Sequence, residues 1–202
     1  MKLYFSPGTC ALAPHILVRD TKLPVGLVRV DIKAHKTESG ADYYAINPKG
    51  SVPVLQLDDG EYLTEGPVIA QYLCDQAGRE DLMPRAGTLA RYRVMEWQNY
   101  ITAELHKAYS PLFNPTFNEE GKKFFVTALR RKYEWVNSKL AGRQFLSGDV
   151  FTAADAYLYV VTRWSKHVGV DLADLPNLQA FMQRVAERPA VKEALQAEGL
   201  KG

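Results

Sequence analysis

Residues 2–20 read Lys2-Leu3-Tyr4-Phe5-Ser6-Pro7-Gly8-Thr9-Cys10-Ala11-Leu12-Ala13-Pro14-His15-Ile16-Leu17-Val18-Arg19-Asp20. The pattern predicts a short apolar strand over 2–5, a turn at Ser6-Pro7-Gly8-Thr9 and a helix over 11–20. Cys10 stands where turn becomes helix, beside unpaired backbone N–H groups and the positive end of the helix dipole. Both favour thiolate over thiol, so its pKa is expected below the free value of ~8.5. The same position also suits a small buried apolar residue, the usual state of a lone cysteine. On this segment alone both readings stand.

The strand–helix opening continues as an alternation up to about residue 78. Strands are predicted at 27–31, 54–57 and 61–63, with a short helical piece over 41–46 and a helix over 65–77. The first strand–helix–strand unit needs a crossover and so a parallel pair. The turn Asp58-Asp59-Gly60 makes a hairpin of the last two strands. The expectation is a mixed four-stranded sheet flanked by helices. Residues 79–87, polar and carrying Pro84 and Gly87, read as a linker. From 88 to 202 the period is helical, with helices predicted at 88–109, 120–141, 152–168, 177–187 and 189–198.

The chain has 202 residues, 47% hydrophobic and 24% charged, with a formal net charge of +2. That balance is ordinary for a soluble globular protein and gives no argument for nucleic acid or membrane as a partner. No apolar run reaches the ~20 residues of a membrane span, and the N-terminus carries no signal-peptide pattern; a cytoplasmic location is expected. The two cysteines, Cys10 and Cys74, form no Cys-x-x-Cys pair. With four scattered histidines they give no zinc-site spacing, so no metal is expected. Cys74 sits in an apolar helical stretch and reads as packed. Any disulfide of Cys10 is then expected with an external thiol.

Three further stretches carry chemistry. Val52-Pro53 precedes a strand, where a proline suggests an edge or a cis turn. Such a turn would offer the Val52 N–H and C=O to an extended peptide. In Thr64-Glu65-Gly66-Pro67, Thr64 or Glu65 is expected to cap a helix with Pro67 in its first turn. Free N–H groups at Glu65 and Gly66 would hold a carboxylate, and the Glu65 side chain an ammonium. Asn99, Ala103, His106 and Lys107 fall on one face of the 88–109 helix, opposite its apolar face. A histidine beside a lysine suits an anion or a thiolate. Thr152 with Asp155 resembles a capping box with a structural task. Each of these stretches also has an ordinary structural reading taken singly: a loop proline, a capped helix, a solvated face.

Their order along the chain resembles a cytosolic glutathione S-transferase. The segments Ser6–Cys10, Asn47–Pro53, Leu63–Gly66, Glu104–Lys107 and Phe151–Tyr157 carry the likeness. Cys10 with His106-Lys107 narrows it to the bacterial beta class. The resemblance implies an α/β thioredoxin-like N-terminal domain (1–78), a linker (79–87) and an all-α C-terminal domain (88–202). It implies a glutathione site of Cys10, Val52, Pro53, Glu65, Gly66 and His106, with His35 or Lys36 at the glycine carboxylate. It also implies contacts from Asn99 and Glu104 of a second subunit in a homodimer.

The expected activity is conjugation of the glutathione thiolate to small hydrophobic electrophiles. Cys10, His106 and Lys107 are the expected catalytic residues, and Thr9, Phe113, Trp164 and His167 the expected pocket wall. Cys10 is also expected to form a mixed disulfide with glutathione. A glutathione-dependent thiol–disulfide oxidoreductase and a binding or stress protein on the same scaffold are the rival readings.

Overall fold

In the computed structural model, residues 1–201 are described, and they divide into two compact units. The first comprises Met1–Met83 together with the chain from Glu187. The second is Pro84–Ala186.

The first unit is built on β1 (Lys2–Phe5), α1 (Leu12–Thr21), β2 (Gly26–Asp31), β3 (Lys36–Thr37), β4 (Val54–Gln56), β5 (Tyr62–Thr64) and α2 (Gly66–Gln76). The sheet order is β3-β2-β1-β4-β5. β1 runs parallel to β2, with Leu3 opposite Leu27, and antiparallel to β4, with Leu3 opposite Leu55. β4 and β5 form the expected hairpin. Leu3, Val18, Leu55, Ile69 and Leu73 make the core between sheet and helices. All five are apolar positions of period two or period 3.6, which is why these segments fold as they do.

Two local expectations change. The two-residue strand β3 adds a fifth, edge strand. Residues 41–46 form turns rather than a helix: Tyr43 donates its N–H to His35 C=O at 2.9 Å, and its buried hydroxyl reaches the Ser51 carbonyl. Those long-range bonds outweigh the helical propensity of six residues, too few to stabilise a helix alone.

The second unit holds α3 (Leu89–Tyr100), a π-helical stretch Ile101–His106, α4 (Lys107–Phe113), α5 (Glu119–Lys139), α6 (Ala153–Arg163), a 3₁₀ turn Trp164–His167 and α7 (Pro176–Ala186). Thr88 and Asn118 cap α3 and α5 by accepting N–H bonds from Arg91 and Gly121. Residues 153–162 of α6 are all buried, so this helix is the unit's axis. Its start is fixed by Asp155, whose carboxylate accepts from Thr152 N–H, Thr152 hydroxyl and Leu146 N–H at 2.7–2.8 Å. Burial pushes the Asp155 carboxyl up to about 6, against these donors.

The last helix, α8 (Pro189–Ala197), was expected with the other helices but packs on α1 in the first unit. An ion pair and a buried hydrogen bond hold it: Arg188 pairs with Asp20 at 2.7 Å, and Glu198 meets the His15 ring at 2.8 Å with both side chains fully buried. The expected linker likewise starts later, because Arg79 is tied to the Asp20 carbonyl at 2.6 Å and Leu82 and Met83 are buried. Among the described residues no helix is long and apolar enough to cross a membrane. Nor do three or more of their His, Cys, Asp and Glu side chains come together in one cluster with metal-ligand geometry.

Candidate active site

Cys10 lies in the loop between β1 and α1, two residues before the first helical residue. Thr9 organises this loop. Its hydroxyl donates to the Ser6 carbonyl at 2.7 Å, and its own carbonyl accepts from Leu12 N–H at 3.1 Å. Ala11 N–H turns to the Thr9 hydroxyl at 3.4 Å. The helix-start donors that the sequence suggested for the thiol are thus engaged by Thr9. The Cys10 thiol itself donates to the Val52 carbonyl at 3.3 Å.

Glu198 also holds this loop, accepting the Gly8 N–H at 2.8 Å while paired with His15. Sequence reasoning missed that contact, since 190 residues separate the partners. Cys74 is buried, and burial pushes its thiol up to about 12. Cys10 is therefore the accessible cysteine of the chain.

The Val52-Pro53 bond is cis. Val52 N–H has no hydrogen-bond partner among the described residues, while its carbonyl accepts only the Cys10 thiol. Gly66 opens α2 against Pro53, where a Cβ would stand 3.8 Å from the proline ring.

Glu65 is the residue before α2, with φ +70°, a left-handed backbone that costs a non-glycine residue energy. Its side chain caps nothing, contrary to expectation, and pairs instead with Lys49 at 2.6 Å. Lys49 also donates to the Thr64 hydroxyl at 2.9 Å. Neither expected capping side chain is used for capping: the Val68 and Ile69 N–H groups turn to the Glu65 carbonyl at 3.0 Å, Pro67 has no N–H, and the Gly66 N–H has no partner among the described residues. Lys49 lies inside the Asn47–Pro53 segment, and nothing in that segment's sequence signals the pairing.

At the sheet edge His35 also has a left-handed backbone, φ +52°. Its ring stacks on Tyr44 at 4.3 Å, and its Nε2 meets the Tyr44 hydroxyl at 3.0 Å. Nδ1 is buried without a partner, facing Gly50. A Cβ at residue 50 would stand 2.8 Å from Tyr44 and 3.0 Å from His35, so the stack requires glycine there. Lys36, the neighbouring cation, is exposed.

In the second unit His106 is not part of the polar stripe. Asn99, Ala103 and Lys107 are exposed as expected, but His106 is half-buried among aromatic rings. Its Nδ1 meets the Tyr157 hydroxyl at 2.6 Å, and its ring packs edge-on to Trp164 at 4.9 Å. The π-helical stretch explains the error. A wider turn advances each residue by less than an α-helix does, so spacing counted at 3.6 residues per turn assigns the wrong face. Burial, and then the charge of Lys107, lower the His106 imidazole to about 4. It is neutral near pH 7 and offers an anion an N–H rather than a positive charge.

Trp164, Tyr109 and Phe113 form one aromatic group with ring centroids 5.5–6.2 Å apart. Phe113 is exposed at its edge. His167, exposed in the 3₁₀ turn, makes no ring contact with the group. Glu104 pairs with Lys132 at 2.7 Å.

A thiol at a strand–helix turn stands beside an unpaired main-chain donor in a sheet-and-helix unit of the thioredoxin-like kind, followed by an all-helical unit. Comparison with known proteins gives the family. Residues 8–76 match the glutathione S-transferase N-terminal domain, and residues 100–189 the glutathione S-transferase C-terminal domain. The chain belongs to the glutathione S-transferase family and is a glutathione S-transferase enzyme. It is 47% identical over 201 residues to glutathione S-transferase GstA of Escherichia coli O157:H7, covering 100% of both chains. BphK, a bacterial glutathione S-transferase solved as a ternary complex, is 49% identical with a TM-score of 0.96, over 99% of this chain and 100% of that one. The beta-class enzyme of Sphingomonas chungbukensis is 44% identical with a TM-score of 0.96, over 100% of each. A sphingomonad enzyme complexed with glutathione is also 44% identical, with a TM-score of 0.95 and full coverage of both chains.

Proposed function

We propose that the first unit binds glutathione along Val52 and that its sulfur is conjugated to small hydrophobic electrophiles. The unpaired Val52 N–H, beside a carbonyl that already accepts a thiol, carries this reading. An extended peptide can pair with those two groups as an added strand would. The free helix-start N–H groups at Glu65 and Gly66 suit the α-carboxylate of the γ-glutamyl end, and Glu65 its ammonium. At the glycine end Lys36 is the charged donor, supported by the covered and occupied ring nitrogens of His35.

In conjugation the glutathione sulfur forms a bond to an electrophilic carbon. The leaving group departs with its bonding electrons, and the thiol proton passes to solvent. Phe113 is exposed, and the buried Trp164 ring backs it edge-on at 5.9 Å; Phe113 is the flat apolar surface proposed for an aromatic electrophile. His106 offers one neutral N–H to the anion of the reaction, which is worth most where water is excluded.

A second reading follows from Cys10 as the chain's accessible thiol. Its thiolate attacks the glutathione sulfur of a mixed disulfide between glutathione and a substrate thiol; that S–S bond breaks and the substrate sulfur leaves as a thiolate that takes a proton from solvent. A free glutathione thiolate then attacks the Cys10–glutathione disulfide, freeing Cys10 and carrying the two electrons' oxidation away as oxidised glutathione. Asn99 and Glu104 are proposed to meet the glutathione of a second subunit.

The test runs conjugation of a chloronitroaromatic and glutathione-dependent disulfide reduction in parallel on the purified protein. Conjugation is expected, and a protein with no conjugation that still binds glutathione would overturn the first reading. Light scattering is expected to show a homodimer rather than a 22.7 kDa particle.

A further inference from the structure

We propose that Tyr157 is a positioning residue for His106: its hydroxyl donates to Nδ1 and so holds the imidazole as the Nε2–H form. The proposal rests on the reading of His106 as an N–H donor in conjugation. A phenol O–H is a stronger donor than a neutral imidazole N–H, and an imidazole nitrogen a better acceptor than a phenol oxygen. The 2.6 Å contact between Nδ1 and the hydroxyl is therefore an O–H···N bond with the proton on tyrosine. With Nδ1 accepting, the single ring proton sits on Nε2.

The surroundings make this a fixed arrangement. Tyr157 is 5% exposed and lies two residues after Asp155, on the helix whose start three hydrogen bonds secure. Its ring stands edge-on to the imidazole at 83°, and Trp164 packs edge-on to the same imidazole at 66°. The ring is thus held between two aromatic groups.

The ionisable groups near it are few. Lys107 follows it on its own helix. Tyr109 lies across Trp164, and Lys132 of α5 is committed to Glu104. Arg163 of α6 turns to Tyr159. No carboxylate bonds the imidazole among the described residues. A neutral, oriented donor is the form that this environment supports. The opposite tautomer would present a lone pair, a base where the chemistry needs a donor.

The experiment is ¹⁵N NMR of the imidazole nitrogens in the full-length protein, with His106→Gln assigning the signal. The wild type is expected to show Nε2 protonated and Nδ1 unprotonated. Tyr157→Phe removes one oxygen and keeps the packing. It is expected to populate both tautomers and to raise the titration midpoint of His106, because a donor that favours the neutral ring is gone. Conjugation kcat/KM near neutrality should fall roughly five- to tenfold, the size of one lost hydrogen bond.

A protonated Nδ1 in the wild type overturns the proposal. So does a Tyr157→Phe variant with unchanged tautomer and midpoint, or with changed tautomer and unaltered kcat/KM. A purely structural role would lower thermal stability and leave the tautomer alone. If His106→Gln keeps full conjugation, the reading of His106 fails instead, and the NMR result still decides what Tyr157 does to the ring.

Discussion

At Val52 the groups of the proposed site are main-chain atoms, and at His106 the group is a side-chain ring held by two aromatic neighbours. The first kind of site is set by how the chain turns. A proline before a strand and a left-handed residue before a helix place an N–H wherever the backbone goes. The second kind depends on the rotation of a helix about its axis, which changes with each residue of altered pitch. Main-chain sites should therefore tolerate side-chain substitution nearby. Side-chain sites should fail when one packing partner changes.

The largest break in that comparison is expected at Cys10, the one side chain of the first unit proposed to form a covalent bond to glutathione. Cys10→Ala is expected to abolish the glutathione adduct seen by mass spectrometry, and with it any disulfide reduction, because no other accessible thiol exists. Conjugation should survive in part, since there the nucleophile is glutathione's own sulfur. Full disulfide reductase activity in Cys10→Ala would remove Cys10 from the mechanism.

In the second unit the comparable dependence is on Asp155. Asp155→Ala strips three buried donors of their acceptor: the Leu146 N–H, the Thr152 N–H and the Thr152 hydroxyl. Each buried group left unpaired costs about 1–3 kcal/mol. Urea unfolding is expected to show a loss of about 3 kcal/mol or more. A loss below about 1 kcal/mol would mean that water replaces the carboxylate and that the helix start is not buried as described.

A smaller effect is expected at Glu65, where a side chain assists a main-chain site. Its pair with Lys49 is exposed, so the fold should lose little in Glu65→Ala. Glutathione affinity by calorimetry should fall roughly 10- to 100-fold, the equivalent of one charge-assisted bond. Unchanged affinity would place the γ-glutamyl end elsewhere and leave Val52 as the whole of the site.

Legibility in the sequence follows the same division. β1, the β4–β5 hairpin and α2 were read within a residue or so, since apolar alternation and turn residues report backbone directly. Cys10, Val52 and Glu65 came from the same punctuation. The role of Glu65 as the partner of Lys49 did not, because the pairing joins residues 16 apart through a bend that no local pattern encodes. The face of His106 was misread, as a π-helical turn carries no signal in residue spacing. The placement of α8 was equally hidden. Its sequence is amphipathic like its neighbours, and contacts distant in sequence join it to the first unit: Glu198 with His15 and Gly8, and Arg188 with Asp20.

An effect of similar size, seen only as a pH dependence, is the sharpest test of the buried ring. His106 is lowered from 6.5 to about 4 by burial and by Lys107. In the unfolded chain the same imidazole takes up a proton near 6.5. Below that pH the unfolded state therefore binds more protons than the folded one, and stability falls as pH falls. The contribution is fully present above about 6.5 and lost by about 4. Between pH 7 and pH 5 it amounts to about 2 kcal/mol, at 1.36 kcal/mol for each unit of pKa difference. Asp155 titrates in the same window with the opposite sign: pushed up to about 6, it favours the folded state as acid is added. The wild-type curve alone would show little, because the two trends offset. The informative quantity is the difference between wild type and His106→Gln, measured by urea unfolding at several pH values. That difference should shift by about 2 kcal/mol in favour of the variant from pH 7 to pH 5. A constant difference would mean that the ring protonates as easily folded as unfolded. His106 would then belong to the solvated stripe with Asn99 and Lys107, and the contrast between a main-chain site and a buried side-chain site would be lost.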